Sequence, residues 1–102
     1  MKNKMPNRDK VLLQRIDEIL YYFWDPIGVK FDPNTRNEYE SYVGSIFSIL
    51  KTKNTEEIAD KLSDFMISDM GLVKNENTFN SCLSTSELLI KHFEYIELLN
   101  NE

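Results

Sequence analysis

Apolar residues recur every three or four positions in four stretches of the chain, and this spacing is typical of amphipathic helices. The predicted helices cover residues 6–24, 37–51, 54–70 and 84–99. Their predicted inward faces are Leu12, Ile16, Ile19, Leu20 and Phe23; Tyr39, Tyr42, Val43, Ile46, Phe47 and Leu50; Ile58, Leu62, Phe65, Met66 and Met70; and Leu88, Leu89, Phe93, Ile96 and Leu99. No alternation long enough for a β-strand occurs. The pattern therefore predicts an all-α fold, a compact bundle of about four amphipathic helices.

Turn and capping residues set the predicted ends of these helices. Pro26 lacks an amide hydrogen and moves Asp25 out of the helical region, so the first helix is expected to end there. Asn54 followed by Glu57 predicts a capping box at the start of the third helix. Gly71 predicts a left-handed C-terminal cap for that helix, and residues 72–73 are expected to fold back over its last turn.

Two segments are predicted to lack regular structure. Residues 1–5 are polar and are expected to be frayed. Residues 74–83 are polar, asparagine-rich and without a period, which predicts a loop before the last helix. Ser84 and Glu87 form a second capping-box pattern, which places the start of the last helix at residue 84. With 102 residues, the chain is expected to be a single domain, residues 1–102.

The segment from Tyr21 to Val29 holds the only tryptophan, Trp24, at the junction between the first helix and the following loop. The carboxylate of Asp25 can accept hydrogen bonds from nearby backbone amides or cap a neighbouring helix. Two interpretations stay open. The segment is a structural anchor, or Trp24 and Asp25 belong to a ligand or partner site.

Four short motifs follow one another along the chain: WDPIGV at 24–29, NEYESYV at 37–43, IADKL at 58–62 and DMGL at 69–72. Over residues 12–72 the sequence resembles a family of small bacterial proteins of unknown function, the YugE-like group, whose members carry segments of these types. The resemblance implies a mostly helical fold and supplies no catalytic residue. Proteins similar to this family also occur beside toxin genes of bacterial competition systems, where small acidic neighbours often serve as immunity proteins. Gly44 departs from the family pattern, because many relatives have proline there, so the start of the second helix is expected to differ.

Composition and charge limit the functional classes. Hydrophobic residues make up 41% of the chain, and no run approaches the ~20 apolar residues of a membrane span. Cys82 is the only cysteine, so we expect no internal disulfide, a partly buried inert thiol and a cytoplasmic protein. The net charge is −5, with +3 on residues 1–10 and −8 on the remainder. Such an acidic body repels nucleic acid and attracts basic proteins.

Candidate catalytic chemistry is sparse. One histidine and one cysteine cannot build a zinc site without carboxylates, and three separated glycines do not form a phosphate loop, so no metal or cofactor is predicted. His92 is interpreted as a surface or boundary residue, with a catalytic base acting together with Asp25 as the alternative. Asp60 and Asp64 lie one helical turn apart and are interpreted as a solvated face, with weak divalent-cation binding as the alternative.

Tyrosines beside acids are the more informative group, because a tyrosine ring is a rigid interface anchor and the acids form a charged rim. The alternative is that these rings pack half-buried at the edge of the core. The predicted partner-binding residues are Asp25, Glu38, Tyr39, Glu40, Tyr42, Asp60 and Asp64.

The sequence therefore favours a non-catalytic protein-binding protein over an enzyme. The leading hypothesis is an immunity or inhibitor protein that neutralises a basic toxin domain, such as a nuclease, by direct binding. The alternative is a housekeeping scaffold or homo-oligomeric interaction protein, in which a homodimer buries the Trp24 region.

Overall fold

The computed structural model describes residues 6–99, which form four α-helices and no β-strand. The helices are α1 (Asn7–Glu18, continued by the π-helical turn Ile19–Trp24), α2 (Val43–Leu50), α3 (Thr55–Asp64, continued by the π-helical turn Phe65–Asp69) and α4 (Glu76–Leu99). Short 3₁₀ turns at Pro33–Thr35 and Glu40–Tyr42 lie between α1 and α2. The predicted all-α bundle is confirmed. The predicted fraying of residues 1–5 lies outside the described residues.

The core lies between the long helix α4 and the shorter helices, since α4 packs against both α1 and α3 and α1 packs against α2. Each helix contributes fully buried apolar side chains, among them Ile16, Ile46, Leu62 and Leu89. Burial of one such side chain contributes about 1.5–3 kcal/mol, so the predicted apolar stripes account for the association of the helices. None of the helices formed by residues 6–99 combines the length and the apolar character that crossing a membrane requires.

The π-helical turn at the end of α1 changes which residues face the core. The Asp25 amide donates to the Leu20 carbonyl, five residues back, at 3.0 Å. This wider turn shifts the inward-facing position by about one residue relative to an α-helix. Trp24 is therefore buried at 4% exposure, whereas Phe23 is 52% exposed. The prediction that Phe23 faces the core is wrong for this reason.

α2 begins at Val43, later than the predicted start at residue 37. The preceding residues form consecutive turns closed by bonds between residues three apart, such as the Glu38 amide to the Thr35 carbonyl at 2.9 Å. These turns direct the Tyr39 ring into the core, where it is 1% exposed. The predicted helical face therefore holds only from Val43 onward, and Gly44 lies in the first turn of α2 rather than in mid-helix.

The start of α3 confirms half of the predicted capping box. The Asn54 side-chain oxygen accepts the Glu57 amide at 3.0 Å. The reciprocal bond from Glu57 is replaced, because the Asn54 amide donates to the Thr52 hydroxyl at 3.2 Å.

The far end of this helical segment is capped by Gly71 as predicted, with φ +69°. The Leu72 amide then donates to the Met66 carbonyl at 2.9 Å, and Leu72 packs against the core. Val73 is 77% exposed, so the prediction that it also covers the last turn is wrong.

α4 begins at Glu76, eight residues before the predicted start. Asn75 and Thr78 cap each other reciprocally, because each backbone amide donates to the other's side-chain oxygen at 2.9 Å. Residues 76–83 are therefore helical rather than part of a loop, and Cys82 is fully buried instead of partly buried. At the other end of α4, Leu99 is 53% exposed, which contradicts its predicted inward position.

Candidate partner-binding surface

Asp25 ends α1 in the left-handed region, with φ 32° and ψ 63°. Its carboxylate then closes the following loop: Oδ1 accepts the Val29 amide at 2.9 Å, and Oδ2 accepts the Lys30 amide at 3.1 Å. The Tyr39 hydroxyl donates to Oδ1 at 2.6 Å. Burial raises the pKa of Asp25, but these three hydrogen bonds and the Lys30 charge outweigh it and leave the pKa below its ordinary value. Both carboxylate oxygens thus hold the loop, as expected of a structural anchor.

Tyr39 reaches the Asp25 carboxylate from the hydrophobic core. Its ring is 1% exposed, and its hydroxyl also accepts the Ile27 amide at 3.3 Å. Burial raises the pKa of Tyr39, and the bond to the Asp25 carboxylate raises it further. A buried hydroxyl with both roles filled offers nothing to a partner, so we place Tyr39 and Asp25 in the scaffold rather than in the binding surface.

A second buried hydroxyl fixes the rest of the loop. The Tyr21 hydroxyl lies 3.1 Å from the Asp32 carbonyl and 3.1 Å from the Thr35 hydroxyl. Thr35 in turn lies 2.7 Å from the carbonyls of Val29 and Asp32. These hydrogen bonds attach the Val29 and Asp32 carbonyls of the loop between α1 and α2 to the buried side of the loop. Sequence reasoning missed Thr35, because no local motif links it to Tyr21.

Six aromatic rings form a continuous row through this part of the protein. In order, they are Tyr22, Tyr21, Tyr39, Trp24, Tyr42 and Phe65, with successive centroids 4.8, 6.3, 5.5, 6.3 and 4.2 Å apart. Aromatic pairs at such separations add about 0.5–1.5 kcal/mol beyond their buried area. The row also connects the two π-helical turns, since Trp24 ends one and Phe65 begins the other, and the Tyr42 ring lies between these two rings.

Tyr42 is the member of this row that combines partial exposure with neighbouring acids. Its ring stacks on Phe65 with the planes 27° apart. Burial raises the pKa of the Tyr42 hydroxyl, and the negative charges of Asp69 and Glu38 raise it further. Tyr42 is thus a ring fixed by stacking, with two carboxylates near its hydroxyl.

The outer face of α3 carries further negative charge. Glu57, Asp60 and Asp64 are exposed and follow one another at intervals of three and four residues, so they share one stripe of the helix. Lys61 is the only basic residue between Thr55 and Asp69. We refer to Glu57, Asp60 and Asp64, with Glu38, Tyr42 and Asp69 at their edge, as the acidic surface.

Ion pairs do not neutralise this surface, and the ammonium of Lys61 lies over the Phe65 ring, 5.9 Å from its centre. The arginines of α1 and the following loop are paired: Arg15 lies 3.1 Å from Glu18, and Arg36 lies 2.9 Å from Asp17. Lys53 is paired with Glu94 and Glu97 of α4. Within residues 6–99, none of the carboxylates of the acidic surface forms an ion pair. The predicted residues Asp60 and Asp64 are exposed on α3, and Tyr42, with Glu38 near its hydroxyl, contacts the π-helical continuation of α3 at Phe65. Glu40 is exposed in the turn before α2, two residues before Tyr42, and is not counted in the acidic surface.

Trp24 and Cys82 meet in the core. The Trp24 indole nitrogen has no oxygen or nitrogen partner among the described residues. Burial raises the pKa of the Cys82 thiol, and the nearby Trp24 N–H lowers it by a smaller amount. The Cys82 sulfur lies 3.4 Å from the Met66 sulfur. The thiol donates a weak hydrogen bond to the thioether in this contact, which is enclosed in the core.

The alternative of a catalytic Asp25 and His92 receives no geometric support. Asp25 is engaged by its own loop, whereas His92 lies on α4 and forms no side-chain hydrogen bond or ion pair within residues 6–99. No group of three or more His, Cys, Asp or Glu side chains in this part of the chain is arranged to hold a metal ion.

No protein-family model, no curated protein sequence and no solved structure matches this chain significantly.

Proposed function

We propose that this protein is a non-catalytic binding protein that neutralises a basic toxin domain by covering it with the acidic surface. The observation that carries the proposal is the stripe of Glu57, Asp60 and Asp64, which form no ion pair within residues 6–99, on the helical segment whose Phe65 stacks on Tyr42. Toxin domains that act on nucleic acid carry basic substrate sites, and a stripe of carboxylates competes for such a site by charge.

The two parts of the surface have different expected roles. Exposed carboxylates attract a basic protein over distances set by salt, because the Debye length is ~10 Å at 0.1 M and ~3 Å at 1 M. They therefore act mainly on the association rate. Tyr42 is held by Phe65 before any partner arrives, so it loses little conformational freedom on binding and acts on the dissociation rate.

The test is co-expression with the product of the gene immediately upstream, followed by measurement of association and dissociation rates at low and high salt. A 1:1 complex whose association slows by ~10-fold or more with added salt is expected. The double variant Asp60→Asn/Asp64→Asn should slow association, and Tyr42→Ala should speed dissociation.

The matched control is Glu76→Gln/Glu87→Gln, which removes the same charge from exposed positions of α4. This variant should keep the wild-type association rate to within about twofold, since neither carboxylate belongs to the acidic surface. Absence of a complex, or equal slowing by both double variants, would overturn the proposal.

One observation favours the alternative of a homo-oligomeric scaffold. Tyr95, Leu98 and Leu99 are 61%, 67% and 53% exposed on the last two turns of α4. Trp24 is buried inside one copy of the chain, so a homodimer would use this end of α4 rather than the Trp24 ring. Light scattering distinguishes the two functions, because a stable homodimer disrupted by Leu98→Asp supports the scaffold.

A further inference from the structure

A cavity of about 500 Å³ opens where the start of α1 meets the ends of α2 and α4. Its floor is apolar: Leu12 and Ile96 are 4% and 5% exposed, and Phe47 and Phe93 pack partly buried beside them. Small-molecule sites commonly have volumes of ~300–1,000 Å³, apolar walls and a few polar groups. The cavity has the size and the floor of such a site.

Ion pairing distinguishes one of the charged residues at the mouth of the cavity. Arg8 lies 3.7 Å from Asp9, and Glu97 lies 3.2 Å from Lys53, which also pairs with Glu94 at 3.8 Å. Lys51, at the end of α2, forms no ion pair within residues 6–99. Its ammonium group is thus the rim cation without a carboxylate partner in this part of the chain, and it favours an anion.

We propose that this cavity binds an amphipathic monoanion, specifically an unbranched aliphatic carboxylate. Its hydrocarbon chain lies on Leu12, Phe47, Phe93 and Ile96, and its carboxylate contacts Lys51. The site is separate from the acidic surface and shares no residue with it. Its occupation does not depend on the proposed inhibitor function.

The first test is calorimetric titration of the full chain with hexanoate, octanoate and decanoate. Burial of one methylene group corresponds to a roughly fourfold change in affinity. Each two-carbon extension is therefore expected to lower Kd by roughly 15-fold until the cavity is filled. No binding of octanoate, or equal affinity across the series, would overturn the proposal.

The second test separates the anion contact from the apolar floor by comparing octanoate with 1-octanol. Lys51→Gln should weaken octanoate binding by about tenfold and leave 1-octanol binding unchanged, because only the carboxylate meets the ammonium group. Lys74→Gln, at an exposed lysine outside the cavity, is the matched control and should change neither affinity.

A third variant locates the binding site. Ser48 is an exposed residue of the rim, and Ser48→Trp places a large ring in the opening without altering the core. This variant should abolish binding of octanoate and of 1-octanol alike. Undiminished binding by Ser48→Trp, or by Lys51→Gln, would show that the carboxylate binds elsewhere and would refute the assignment.

Discussion

Replacing Tyr39 with phenylalanine removes one oxygen atom from the interior and tests the link between the two ends of the loop. In the native protein the Tyr39 hydroxyl lies 2.6 Å from Oδ1 of Asp25 and accepts the Ile27 amide at 3.3 Å. Phenylalanine keeps the ring contacts with Trp24 and Tyr21. The substitution therefore changes hydrogen bonding and leaves packing in place.

The expected loss of stability follows from the kind of bond removed. A hydrogen bond to a charged group contributes about 1.5–3 kcal/mol, and the Asp25 oxygen and the Ile27 amide each lose a partner. We expect Tyr39→Phe to lower the free energy of unfolding by about 2–3 kcal/mol. For a domain of this size, that change lowers Tm by roughly 10 °C or more.

The assay is urea unfolding followed by circular dichroism, with Tyr95→Phe as the matched control. Tyr95 is 61% exposed, and its hydroxyl forms no hydrogen bond within residues 6–99, so the control should lie within about 0.5 kcal/mol of wild type. A double-mutant cycle with Asp25→Asn isolates the pair, because asparagine tolerates the left-handed backbone of Asp25. The expected coupling is about 1–2 kcal/mol.

The pH dependence gives an independent check on the same link. The pKa of Asp25 is lower in the folded protein than in the unfolded chain, where an aspartate titrates near ~3.9. The ionised Asp25 carboxylate therefore contributes its full stabilisation above the unfolded-state pKa, and this stabilisation is lost as the pH falls through the pKa of Asp25 in the folded protein. The stability gap between wild type and Asp25→Asn should narrow below about pH 4. A Tyr39→Phe protein within 0.5 kcal/mol of wild type, or a gap constant with pH, would refute this account of the loop.

Three further predictions rest on other local features. Asn75→Ala should lower stability by about 1 kcal/mol through loss of the α4 cap, whereas Ser84→Ala, inside α4, should change it by less than about 0.5 kcal/mol in urea unfolding. Gly71→Ala should destabilise by ~1–2 kcal/mol because φ is +69°, whereas Gly44→Ala, in open space on α2, should stabilise by ~0.5–1 kcal/mol. Stability should fall above about pH 10, where tyrosine ionises in the unfolded chain while burial raises the folded pKa of Tyr39, and Tyr39→Phe should reduce that fall.

The parts of the fold that depend on neighbouring residues were predictable from the sequence. The stop at Asp25–Pro26, the Asn54 cap and the left-handed Gly71 each follow from the conformational preferences of one or two residues. The apolar stripe of α3 was also predictable, since Ile58 and Leu62 are fully buried as the helical period requires.

The parts that depend on distant contacts or on an altered period were not predictable. Phe23 and Trp24 exchange roles because the π-helical turn adds a residue, and nothing in the local pattern marks that turn. The start of α4 was missed because Asn75 and Thr78 cap each other without the acid that the capping-box pattern contains.

The candidate surface shows the same division. Asp60 and Asp64 were assigned to an exposed face by helical spacing alone, and both are exposed. Tyr39 and Tyr42 lie three residues apart, and the sequence pattern does not distinguish them. The turns before α2 bury Tyr39, which bonds to Asp25 fourteen residues away, and leave Tyr42 partly exposed.

That bond also bears on how the chain can vary over generations. A chain that keeps Asp25 but loses the Tyr39 hydroxyl, or keeps Tyr39 but loses the Asp25 carboxylate, has a polar group that lacks its hydrogen-bond partner. Sequences that have changed only one of the two residues are therefore expected to be less stable and to be selected against. The WDPIGV and NEYESYV segments should consequently be inherited as a pair. A natural homologue that has replaced one of them is expected to have replaced the other as well.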